Sequence, residues 1–283
     1  IGDEVLSGAD QYVDVTRRDP ADVVISKTRH YFYGHASDEL STPALYYPNW
    51  RTGREYRSET YAPSGALVRT IDHTWAQRQP TPAWSSNIPN DSRITETKST
   101  LDTGISAKQQ FDYDAYNNPT RVDEYAFNVS PPSLPVRRRT ISYVTVNGNP
   151  PVPYDTNLSY HIRDLPSQEE LLELNEAGTA LVRRALTTYE YDNYGGDANH
   201  AALVVRPGII ALDDAYEPPN SITARGNRTG TFRWLSTTGG SVATYVQFDV
   251  AGNACKAIDG RGFQTSYQYN DNFGPPNGSV LDN

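Results

Sequence analysis

The side chains able to do chemistry in this chain are scattered rather than gathered. Its five histidines, His30, His35, His73, His161 and His200, form no H-E-x-x-H pattern and have no cysteine partner, so the spacings that build zinc sites are absent. Asp112, Asp114, Asn117 and Asn118 offer oxygens that calcium could use. The alternating carboxylates, central glycine and closing glutamate of an EF-hand are missing around them, and Asp and Asn at such spacings serve to cap turns. A glycosidase needs two carboxylates flanking a bond. Asp112 with Asp114, on one strand face, and the adjacent Asp213 and Asp214 are pairs that any acidic β protein contains. There is no G-x-S-x-G elbow, and Thr237-Thr238-Gly239-Gly240-Ser241 lacks the lysine and the following helix of a phosphate loop. Cys255 is the only cysteine, so no internal disulfide forms, and it reads as a small strand side chain. These residues predict no enzyme, no cofactor and no metal.

Aromatic rings are the remaining candidates. Four tryptophans, Trp50, Trp75, Trp84 and Trp234, accompany 20 tyrosines, and such rings can stack on sugar faces. Regular placement assigns most tyrosines to packing between repeats. Tyr46, Tyr47, Trp50 and Trp84 lie in loops and are the candidates for glycan stacking. A net charge of −9 argues against a nucleic-acid partner, which requires a basic stripe. No run of 18 apolar residues is present, so no membrane-spanning helix is expected.

The elements that must position these residues are strands. Hydrophobic residues make up only 37% of 283 residues, with 20 Gly and 20 Pro, a composition suited to many short strands and turns. Lys27 to Gly34 alternates Thr28, His30 and Phe32 against Arg29, Tyr31 and Tyr33. Glu55 to Trp75 reads as a hairpin turning at Pro63-Ser64-Gly65. Ser41 to Gly53 reads as an insertion between hairpins. Arg93 to Leu101 and Ala107 to Tyr113 join across Asp102-Thr103-Gly104, and Thr120 to Phe127 and Arg137 to Val146 follow as strands. Ser167-Gln168-Glu169-Glu170 is a capping box that favours a helix, whereas Asn175-Glu176-Ala177-Gly178 is a hairpin turn. Repeat register predicts strand-turn-strand there. Ala201 to Asp213 and Ala224 to Trp234 are further expected strands. Phe263 to Tyr269 alternates Phe263, Thr265, Tyr267 and Tyr269 against Gln264, Ser266 and Gln268, which predicts one packed and one wet face.

One unit recurs within Ser241 to Gly274. Phe248-Asp249 and Tyr269-Asn270, 21 residues apart, each end an alternating run before a turn, and Gly252-Asn253 supplies the turn of the first copy. A unit this short cannot bury its own apolar face and must stack on copies of itself. Phe248-Asp249-Val250-Ala251-Gly252-Asn253 resembles the YD repeat of RHS-repeat proteins, with Phe in place of Tyr. Tyr269-Asn270 begins a degenerate copy. Tyr113-Asp114, followed by Asn117-Asn118, and Tyr191-Asp192 are two further cores. The cores at 113, 191, 248 and 269 are separated by 78, 57 and 21 residues, so most repeats carry insertions or have drifted.

The resemblance implies an all-β fold in which YD-repeat hairpins stack into one continuous twisted antiparallel sheet, part of a hollow shell or spiral. In that family such strips enclose a C-terminal toxic domain, and related Tc-type toxins and the adhesive teneurins use a similar shell. The expected organisation is a single repeat segment over 1–283, excised from a longer chain and secreted or placed at a bacterial cell surface. Its expected partners are the rest of that chain or further copies, met through open sheet edges, and an encapsulated toxin domain. An extracellular adhesin or glycan-binding repeat is the alternative.

Overall fold

The computed structural model describes residues 11–33, 49–79, 90–130, 132–148, 151–156, 161–205 and 223–268. The protein is all-β: among these residues the only helical turn is a 3-10 segment at Asn49–Arg51. Among the described residues the main sheet takes fourteen strands, ordered along the chain, and two further strands pair as a separate ribbon. No helix of the described residues is long and apolar enough to cross a membrane. The chain divides into two compact units, the first comprising 1–140 with 172–182 and the second 141–171 with 183–283.

Unit 1 is an antiparallel meander. It runs through β1 (Gln11–Arg18), β2 (Val24–Phe32), β3 (Glu55–Tyr61), β4 (Leu67–Ala76), β5 (Arg93–Leu101), β6 (Ser106–Tyr113), β7 (Pro119–Asn128) and the start of β8 (Arg137–Tyr143). Register places Asp14 opposite Arg29, Arg57 opposite Asp72, Lys98 opposite Lys108, and Asp123 opposite Arg138 on one face. Cross-strand ion pairs cover that face. Arg29 grips Asp14 at 2.7 and 2.9 Å, Arg57 meets Asp72 at 2.7 Å, and Arg138 grips Asp123 with two bonds of 2.6 Å. Hydrogen bonds from Arg29 and then Lys27 hold the Asp14 carboxyl well below the usual carboxylate range. Opposed charges on a pleated face are the sheet's counterpart of helical i,i+4 pairs. The opposite face carries the buried Ser58 and Ser99 beside Ile71, with Arg69 donating to the Ser99 hydroxyl at 2.8 Å.

Unit 2 contains the ribbon β9 (Val146–Asn147) and β10 (Val152–Pro153), most of β11 (Pro166–Leu174) and β12 (Leu181–Tyr191), then β13 (Arg228–Trp234), β14 (Ser241–Phe248), β15 (Ala254–Ile258) and β16 (Gln264–Ser266). β12 to β16 pair antiparallel in succession. Apolar burial concentrates here. Among the described residues, every buried hydrophobic side chain except Trp50 and Pro135 belongs to unit 2: Ile141, Tyr154, Tyr191, Ala224, Val250 and Ile258.

Three expectations need correction. The run from Phe263 does not present a packed face, because the strand spans only Gln264–Ser266 and Phe263 and Tyr267 are 70% and 45% exposed. Among the described residues β15 is its only strand partner in the sheet. Of the strand expected over Ala201 to Asp213, residues 201–205 are not a regular strand, Val204 making a single parallel bridge to Asp249, and the remainder lies outside the described residues. The strand expected from Ala224 begins at Arg228, since residues 225–227 are engaged in a turn.

Candidate functional site

The recurring feature is a turn frame, and the aromatic-Asp pairs sit at its head. In each copy the amide of residue i donates to the carbonyl of i+4, the amide of i+3 donates back to the carbonyl of i, and residue i+3 has positive φ. Contiguous copies begin at Asp19, Ala62, Leu101, Asp114, Asp249 and Asp259, with Asp22, Gly65, Gly104, Asn117, Gly252 and Gly262 in the left-handed position. This is a three-residue hairpin loop closed by a bulge, and the register shifts beside Tyr61, Tyr113 and Phe248 record the bulge. A residue other than Gly, Asn or Asp is disfavoured at i+3.

Aspartate at i adds a lock. Asp249 Oδ1 accepts the amides of Ala251 and Asn253 at 2.9 and 2.8 Å, and Asn253 Nδ2 donates to Oδ2 at 3.2 Å. Asp114 repeats this with Tyr116, Asn118 and the Asn118 side chain at 2.8, 2.9 and 2.9 Å. Asp19 and Asp259 make the two amide bonds. The aromatic–Asp and Gly–Asn pairs of the repeat therefore have separate tasks. The ring packs on the sheet, the carboxylate binds the turn amides, Gly supplies the backbone conformation, and Asn ties back to the carboxylate.

Asp192 builds a variant of this frame across an interruption, with the i+3 amide turned to the carboxylate. Its amide donates to the Asn227 carbonyl at 2.9 Å. Its carboxylate accepts the amides of Arg225, Gly226 and Asn227, each at 2.8 Å, and Gly226 has φ of 76°. Arg225-Gly226-Asn227 thus stand where Ala251-Gly252-Asn253 stand after Asp249, and residues 193–224 are inserted within the turn. Two phenols complete the cluster: Tyr154 donates to Oδ2 at 2.5 Å and Tyr194 to Oδ1 at 2.8 Å. Asn147 Nδ2 supports it by donating to the Tyr154 hydroxyl and to the Tyr191 carbonyl. Burial, with the Asp192 carboxylate alongside, pushes the Tyr194 hydroxyl well above the ordinary phenol range, and burial pushes Tyr191 up to about 12. The turn after β2 is interrupted in the same way: Tyr33 donates to Arg54, and Gly53, with φ of 69°, donates to Tyr33.

The aromatic members of the cores pack. The Tyr113 hydroxyl donates to the Ile94 carbonyl at 2.7 Å with Arg93 over its ring; Tyr191 is 7% exposed and Phe248 half-buried. Trp50 is 9% exposed with the Arg51 guanidinium 4.7 Å from its ring centroid, so it packs rather than presenting a face. Tyr46, Tyr47, Trp84, Asp213, Asp214, Tyr269 and Asn270 lie outside the described residues. Asp112 pairs with Arg121 at 2.8 Å, apart from the Asp114 lock. Among the described residues no group of three or more His, Cys, Asp or Glu is placed to hold a metal ion. An open groove of about 300 Å³ is lined by Leu186, Thr188, Phe232, Trp234 and Gly239 to Ser241.

Sequence reasoning places Tyr191-Asp192 among the cores but misses its second half, 33 residues on. A signal exists: Arg225-Gly226-Asn227 is a Gly-Asn turn with no aromatic-Asp pair before it.

No family model and no curated protein matches the chain. Among solved structures it is similar to "TcdB2-TccC3-TEV" at 12% identity and a TM-score of 0.41, covering 92% of this chain and 19% of that one. It is also similar to the Photorhabdus luminescens Tc holotoxin pore at 9% identity and a TM-score of 0.35, with 89% and 20% covered. A porin-like protein from Bacteroides uniformis aligns at 11% identity and a TM-score of 0.26. The chain spans about a fifth of the length of the Tc chains it matches.

Proposed function

We propose that this chain is a non-enzymatic repeat segment forming part of the wall of an exported or cell-surface shell, one that encapsulates or scaffolds an effector. The observation that carries the reading is the fate of the core carboxylates. Asp114, Asp192 and Asp249, which a site would need, accept the amides of their own turns. A wall also needs strands that join further strands. Among the described residues β1 ends the order on one side, with Tyr12, Val13 and Val15 each 54% exposed, and β16 ends it on the other. Such edges pair with the rest of a longer chain or with other copies. Light scattering over a concentration series, with hydrogen exchange on β1 and β16, tests this. Concentration-dependent association with weakly protected terminal amides is expected. A strict monomer whose terminal strands are as protected as β5 and β6 overturns it.

The groove holding Phe232 and Trp234 favours a second reading, a glycan-binding adhesin. Two rings beside Gly239 to Ser241 give a sugar a face to stack on and polar groups to bond. Specific binding on a glycan array, abolished by Trp234→Ala in a folded variant, would replace the wall reading with this one.

A further inference from the structure

We propose that His200 is a pH-sensitive latch that holds the start of the 193–224 insertion against β12 to β14 of unit 2. The ring is buried, at 7% exposure. Its Nε2 lies 2.8 Å from Glu190 Oε1 on β12, and its Nδ1 lies 2.8 and 2.9 Å from the two oxygens of Asp197 on the insertion itself. From β13, the Thr229 hydroxyl donates to the same Glu190 oxygen at 3.1 Å. From β14, Tyr245 meets the imidazole edge to face at 5.1 Å. Asn193 donates to the other Glu190 oxygen at 3.0 Å.

A neutral imidazole has one N–H and one lone pair. Either tautomer would set that lone pair against a carboxylate at hydrogen-bond distance, whereas imidazolium donates to both. The closed arrangement therefore selects the protonated ring. Burial opposes the charge, but the hydrogen bonds to Asp197 and Glu190 outweigh it and raise His200 above its ordinary value. The His200 hydrogen bond, with the amides of Asn199 and His200, lowers Asp197 to about 2.

The latch holds a defined piece of backbone. Beyond His200, Gln247 donates to the Asn199 carbonyl, and Val204 bonds across Phe248 and Val250. Because the proton belongs to the closed state, closing is fully supported below about pH 6.5, the ordinary histidine value. Support is lost as pH rises through the higher closed-state value, by up to about tenfold per pH unit in the closing equilibrium. At the acid end the Asp197 contribution is present above its ordinary value and is lost as pH falls towards 2.

Hydrogen exchange of the 283-residue chain, corrected for intrinsic rates, reads this on the amides of 199–205. Protection is expected to fall between pH 6 and pH 9, while the turn amides of 101–105 stay unchanged. His200→Gln should give low protection at every pH. Asp197→Asn, at an exposed position, should keep the fold and move the transition to lower pH. Nitrogen-15 shifts of the imidazole should report a doubly protonated ring at pH 6. Protection independent of pH in the unmodified chain, a neutral ring at pH 6, or a transition unmoved by Asp197→Asn overturns the proposal.

Discussion

Two turns of unit 2 share the i to i+4 amide-to-carbonyl bond and a carboxylate that accepts the turn amides, and they differ in what lies between the first and last residue. After Asp249 the chain reaches Asn253 in four steps; after Asp192 it reaches Asn227 only beyond a 32-residue insertion, 193–224. Both keep the carboxylate at i, the left-handed glycine at i+3 and the asparagine at i+4. The frame thus needs those groups in register, not an unbroken loop. Closing the longer loop costs about 2 kcal/mol more by the logarithmic dependence on length. Asp192 has extra ligands that offset this: a third amide and the hydroxyls of Tyr154 and Tyr194.

Removing the carboxylates tests that balance. Asp192→Ala should be the most damaging change, at about 4 kcal/mol in urea unfolding, because it strands three amides and two phenols. A loss smaller than that of Asp249→Ala would show that the insertion is held by something other than this anion. Asp249→Ala should cost about 3 kcal/mol: the residue is 0% exposed, so its turn amides would lack water as well as their acceptor. Asp114→Ala is the control with the same bonds at a half-buried position, and about 2 kcal/mol is expected. Equal losses at Asp114 and Asp249 would mean that the neighbours of a turn contribute nothing. The glycines should give the smallest effects. Gly226→Ala is expected to cost about 1.5 kcal/mol, since a methyl group there would also sit 3.3 Å from Leu165. Gly252→Ala, with φ of 85° and its methyl group in ordinary contact with Asn227 Oδ1 at 3.8 Å, should cost about 1 kcal/mol from backbone strain alone.

Local chemistry made much of this fold readable. Pro63-Ser64-Gly65, Asp102-Thr103-Gly104 and Asn175 to Gly178 announce turns by residue type, and each closes a hairpin. The capping box at Ser167 was outweighed by its surroundings: Pro166–Leu174 is a strand between β8 and β12, where ladder hydrogen bonds replace helical ones. Long-range assembly was not readable. Nothing near Asp192 names Tyr154, 38 residues earlier, or Arg225, 33 residues later. Nor does the segment around His200 name Glu190 as the second acceptor for its ring. Alternation also misled at Phe263 to Tyr269, because period two reports that a strand can form and not that anything covers it.

The order of the strands bears on how the molecule comes into being. Each strand of the main sheet bonds to its neighbours in the chain, with only the short β9–β10 ribbon bypassed. Nearly all pairings are therefore local, and local pairing forms quickly. A chain delivered from one end, whether from a ribosome or an export channel, can lay each hairpin onto a finished edge before any later strand arrives. The two interrupted turns break that rhythm. β3 cannot join β2 until residues 34–52 have emerged, and β13 cannot join β12 until 193–224 have. Those two steps, with the passage of 144–165 that delays β11 at the edge of β8, should set the pace of folding, and until they are complete the edges of β2, β8 and β12 stand open to the wrong partner.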